Sequence, residues 1–72
     1  MIALSSLKKG SLGTVAILNT DDAITINRLL AMGVSPGMPI LLEQKFPAYI
    51  IKIGRTRAVV DHEIAENIYV RC

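Results

Sequence analysis

Residues 23–46 read AITINRLLAMGVSPGMPILLEQKF, from Ala23 to Phe46, and hold a helix, its stop signal, a turn and a strand in succession. Ala23, Ile26, Leu29 and Leu30 recur at the i, i+3, i+4 spacing of one helix face, which predicts a helix over Ala23–Met32. Asn19-Thr20-Asp21-Asp22 just ahead of it supplies side-chain oxygens able to cap the free amides of a first turn. Gly33 fits the left-handed position that ends a helix. Pro36-Gly37 then has the residues of a type II turn, with proline fixing φ at the second position and glycine accepting a positive φ at the third. Beyond the turn, Ile40, Leu42, Gln44 and Phe46 alternate with Leu41, Glu43 and Lys45, the pattern of a half-buried strand over Ile40–Phe46.

Outward from this stretch the chain reads as short strands. Ile and Val supply 15 of the 72 residues, a β-leaning composition. A strand is expected over Thr14–Leu18, after a loop in which Gly10 and Gly13 permit positive φ and Leu7 and Leu12 serve as anchors. Pro47 limits the strand before it. Tyr49–Ile53 and Thr56–Val60 flank Gly54-Arg55, and glycine at the first of two loop residues marks a type II′ hairpin. Asp61 can cap a helical turn over His62–Glu66 that presents Ile64 and Ala65 to the core, and Ile68–Val70 closes the series as a strand. Five short strands with two helical pieces predict a mainly β fold, a small barrel, because closure removes the exposed edges of so small a sheet.

Composition narrows the class. The length allows one domain, residues 1–72, in which hydrophobic residues make up 51% and charged residues 19%, with a net charge of +2. The single cysteine, Cys72, excludes an internal disulfide, and no Cys/His cluster stands at zinc-ligand spacing. The longest uncharged stretch, Leu29 to Leu42, is interrupted by Gly33, Pro36, Gly37 and Pro39, so no segment approaches the roughly 18 apolar residues of a membrane span. Lys8 and Lys9 follow the first apolar residues instead of preceding them, unlike a secretion signal. A soluble cytoplasmic protein without membrane insertion is expected.

The elements also match a known order. Arg28-Leu29, Met32-Gly33-Val34, Gly37 and the strand after it, Pro47, the Ile53-Gly54 hairpin, and Ile64-Ala65-Glu66-Asn67-Ile68-Tyr69-Val70 together resemble the FeoA family from Leu7 to Val70. The resemblance implies an SH3-like barrel with a helix inserted after the first strand. It also implies a role in ferrous iron uptake, as the cytosolic companion of the FeoB membrane transporter. The same fold forms the C-terminal module of repressors similar to the diphtheria toxin repressor, so a metal-sensing accessory domain is the alternative. Lacking DNA-binding helices, the chain resembles the transport companion. It departs from the family at Val59-Val60-Asp61, where many members carry an arginine, and in its short loop around Pro47.

No catalytic constellation is legible, since the sole histidine, His62, sits between Asp61 and Glu63 and Cys72 is terminal, so no Cys-His nucleophilic pair can be read. Neither an enzyme nor a cofactor is expected. His62 and Glu66, four apart on one helix face, are the residues closest to metal-ligand spacing, yet Asp61 reads as a cap and Glu63 as a complement to the helix dipole, so no tight Fe(II) site is expected. Lys52, Arg55 and Arg57 cluster at the hairpin, but three aromatic residues and low net charge do not make a nucleic-acid platform. A binding module remains. Met32, Val34, Met38 and Leu41 surround the helix-to-strand turn and exceed what a small barrel can bury, which predicts an exposed apolar patch. That patch, with Arg28, Lys52, Arg55 and Arg57, is expected to dock the barrel on the cytosolic part of a FeoB-like transporter or on a second copy.

Overall fold

The computed structural model describes residues 1–72. Six strands form one antiparallel sheet: β1 (Ile2–Ala3), β2 (Leu12–Leu18), β3 (Pro39–Gln44), β4 (Tyr49–Ile53), β5 (Thr56–Val60) and β6 (Ile68–Arg71). Their spatial order is β1-β6-β2-β3-β4-β5. A 3-10 turn over Leu4–Ser6 follows β1, α1 (Ala23–Ala31) joins β2 to β3, and α2 (His62–Asn67) joins β5 to β6.

The local signals act as their chemistry requires. Asp22 caps α1 by accepting from the Ile24 amide at 3.1 Å and from the Thr25 hydroxyl at 2.8 Å. At the other end the Val34 amide donates to the Leu29 carbonyl and the Gly33 amide to the Leu30 carbonyl, a Schellman closure made possible by Gly33 at φ +90°. Leu29 and Val34, the two residues joined by the outer of these bonds, are both buried. The type II turn follows, with the Met38 amide bonded to the Ser35 carbonyl and Gly37 at φ +93°. The Gly37 amide donates to the Val15 carbonyl and the Val15 amide to the Met38 carbonyl, so the turn is fixed to β2. Gly54 has φ +59° while Arg55 stays at negative φ, the type II′ combination.

The core collects the inward face of every long strand: Val15 of β2, Ile40 and Leu42 of β3, Ile51 and Ile53 of β4, Val60 of β5, and Ile68 and Val70 of β6. Leu4, Leu7, Leu29 and Ala65 join it from the 3-10 turn, the loop after it and the two helices. The helices therefore pack on the inward side of the sheet, and its opposite face is left to solvent.

Several expectations need correction. There are six strands, because Ile2–Ala3 pairs with β6 in the register Ile2↔Val70 and Ala3↔Tyr69. β2 begins at Leu12, two residues early, and Leu12 is 65% exposed instead of anchoring a loop. Gly13 and Val15 take the buried side of β2, so alternation turns Leu12 outward. Gly13 has no positive φ; it admits the β6 backbone instead, since a Cβ there would stand 2.9 Å from the Arg71 carbonyl oxygen. β3 ends at Gln44, and a register shift between Leu42 and Gln44 breaks the alternation, leaving Phe46 86% exposed. α1 stops at Ala31 with Met32 as its C-cap, α2 runs on to Asn67, and β6 to Arg71. No helix is long and apolar enough to cross a membrane.

Candidate functional site: the outer sheet face

The outward residues of β2 to β5 form a cross-strand row. Leu12 pairs with Leu41, Leu41 with Lys52, and Lys52 with Arg57, so two apolar side chains are followed by two cations across four strands. One step along, Thr14 pairs with Pro39 on one side and with Arg71 on the other. A shallow groove of about 500 Å³ runs over this face, lined by Leu12, Met38, Pro39, Leu41, Lys52 and Gly54. Arg55 is exposed beside it at the hairpin tip.

Electrostatics separates the two sides of the molecule. Asp22, Asp61, Glu63 and Glu66 belong to the helices or their caps, Asp21 precedes the α1 cap, and Glu43 is the one side-chain carboxylate on a strand. Glu43 is neutralised. Its carboxylate accepts from Arg57 Nε at 2.6 Å and from Nη2 at 3.3 Å. This bidentate contact holds the Glu43 carboxyl below the usual carboxylate range and raises Arg57 further. Lys52, Arg55 and Arg71 form no ion pair. The outer face thus offers apolar residues rimmed by free cations.

The expected patch is divided by the fold. Met38, Leu41 and Lys52 line the groove together, with Arg55 beside it, and Arg57 stands at the end of the row, tied to Glu43. Arg28 and Met32 lie elsewhere, lining a groove between α1 and β5 with Val59 and Ile64. Val34 is fully buried and contributes nothing to any surface, and Met32 packs partly against the core. Leu12 belongs to the face but was expected inside; the small Gly13 beside buried Val15 is the signal that could have turned it out.

His62 and Glu66 stand together as their spacing requires, with Nε2 to Oε1 at 3.1 Å. The ring's other nitrogen is also engaged. Nδ1 lies 2.9 Å from the Tyr49 hydroxyl, and the two rings are tilted at 37° with centroids 5.6 Å apart. The direction of the Tyr49 bond follows the ring's tautomer, and Nε2 faces the Glu66 carboxylate. Asp61 accepts from the Ile64 amide at 2.8 Å as the α2 cap. No group of three or more His, Cys, Asp or Glu side chains comes close enough to hold a metal ion.

Residues 2–72 match the FeoA domain. The chain belongs to the FeoA family. No curated protein matches it. Among solved structures it is similar to an iron uptake regulatory protein, FeoA, with 26% identity, 97% of this chain and 93% of that chain covered, and a TM-score of 0.85. It is also similar to the FeoA of Stenotrophomonas maltophilia complexed with zinc, described as a procaryotic SH3 domain protein, with 25% identity, 97% and 89% coverage and a TM-score of 0.78. A manganese-dependent transcriptional repressor shares the fold at 19% identity, with 96% of this chain and 40% of that chain covered and a TM-score of 0.85. The architecture is mainly β and SH3-like, as this FeoA family member's six-stranded antiparallel sheet and two short helices embody.

Proposed function

We propose that this FeoA-family chain is a non-enzymatic accessory of ferrous iron uptake that works in the cytoplasm by touching the cytosolic part of a FeoB-like, GTP-linked membrane transporter. The observation that carries the reading is the family match, which runs over residues 2–72. The outer face supplies the means of contact. Leu12 and Met38 are exposed and Leu41 half-buried beside them, so a partner would cover a continuous apolar strip while Lys52 and Arg55 meet its carboxylates. Arg57 is committed to Glu43 and sets the shape of the rim. Arg28 and Met32 fall outside this contact.

Capture of the chain by the immobilised cytosolic domain of such a transporter tests the reading. Wild type is expected to be retained and both Met38→Asp and Arg55→Glu to be weakened. Unchanged capture of both variants would place the contact elsewhere.

A metal-sensing accessory role is the second reading, supported by the fold shared with a manganese-dependent repressor and by the His62–Glu66 pair. Anaerobic calorimetry with Fe(II) and Mn(II) separates the two. Saturable binding abolished in His62→Ala would favour sensing. Its absence favours docking.

A further inference from the structure

β5 is an edge of the sheet, joined to β4 alone. Because Gly54-Arg55 is a two-residue turn, Ile53 and Thr56 close it as a hydrogen-bonded pair, and bonded and unbonded pairs alternate from there. Thr56, Ala58 and Val60 therefore direct their backbone groups to β4. Arg57 and Val59 direct theirs outward. No turn, loop, cap or side-chain bond within the chain uses these outward N–H and C=O groups.

Edge strands are ordinarily blunted by proline, inward charges, bulges or free surface charge. β5 has no proline and pairs with β4 without a register shift, and its one charge is drawn toward β3 by Glu43. Val59, a β-branched residue at 68% exposure, stands on the open edge one residue from its end. Facing it, α1 forms the other wall of a groove of about 370 Å³ whose apolar lining includes Leu29, Met32, Val60 and Ile64. Arg28 lies on that wall; it forms no ion pair, and, after the Thr25 hydroxyl and the Ile24 amide, its charge helps hold the Asp22 carboxyl below its usual range.

We propose that the outer edge of β5 receives an extended segment of a partner chain as an added strand, seated between β5 and α1, with apolar residues toward the groove and an acidic residue toward Arg28. Backbone groups spaced along an open edge are matched by another strand's backbone, and the apolar groove then selects alternate side chains. A second copy of this chain is the poorer occupant, because its own β5 is backed by β4, and pairing edge to edge would drive its sheet into α1. The site shares only Arg57, the end of the outer-face row, with the Leu12–Leu41 face, and does not depend on the transporter reading.

Selection of a random peptide phage library on the immobilised chain, followed by amide-shift mapping and affinity measurement with the selected peptide, tests this. Peptides alternating apolar and polar residues around a carboxylate are expected, shifting the Arg57 and Val59 amides. Val59→Pro should weaken them about tenfold or more, since it removes an outward donor and no bond to β4. Arg28→Glu, off the strand, should weaken them also and serves if the proline variant does not fold. Failure to select any peptide, equal affinity for Arg28→Glu and a folded Val59→Pro, shifts confined to Leu12, Met38 and Leu41, or a concentration-dependent dimer dissolved by Val59→Pro would each overturn the proposal.

Discussion

Gly13 shows how one residue can be constrained by its neighbour's backbone instead of its own dihedrals. A Cβ there would meet the Arg71 carbonyl oxygen at 2.9 Å, and neither strand can yield cheaply because Val15 and Val70 beside the contact are fully packed in the core. Gly13→Val is accordingly expected to lower stability by about 1–3 kcal/mol, the range of overpacked sites, measurable by urea unfolding. Glu43 makes a second test at this scale. Arg57 lowers its folded pKa, so the stabilisation it gives is present above the unfolded pKa and is lost as pH falls through the folded one. The stability difference between wild type and Glu43→Gln should therefore be largest at neutral pH and shrink on acidification. A difference independent of pH would show that the pair contributes nothing through its charge.

Elements whose signals are local were legible in the sequence. The α1 cap and its Schellman end, the Ser35–Met38 turn, the β4–β5 hairpin and the Asp61 cap each need only a few adjacent residues, and each stands where its residues indicate. Asp61→Ala should cost about 1 kcal/mol, seen as a lowered thermal midpoint, because the Ile64 amide loses its acceptor. Elements defined by a distant partner were not legible. β1 is two residues long, too short for any periodicity, and exists because β6 at the other end of the chain pairs with it. The end of β3 was misread for a related reason: the irregularity after Leu42 appears only against β4, so strict alternation wrongly carried Phe46 inward.

For the whole molecule, the excess of apolar residues is divided among the core, two surface patches and scattered exposed side chains such as Ile24 and Phe46. Most of it fills the core, including Val34. A second part lies on the outer sheet face at Leu12, Met38 and Leu41, and a third at Val59 beside α1. For the candidate surface, composition announced a surplus, but only the strand register could tell which residues share a face, and it parted Arg28 and Met32 from Met38. The register also gathered Lys52 beside Leu41 while the helices took most of the carboxylates, giving the face its free cations. Docking through that face is the central claim, and amide-shift mapping of the labelled chain against the cytosolic domain of a FeoB-like transporter tests it most directly. Saturable shifts at Leu12, Met38, Leu41, Lys52 and Arg55, with the helices unmoved, are the predicted result; no shifts at saturating partner, or shifts confined to α1 and α2, would contradict it.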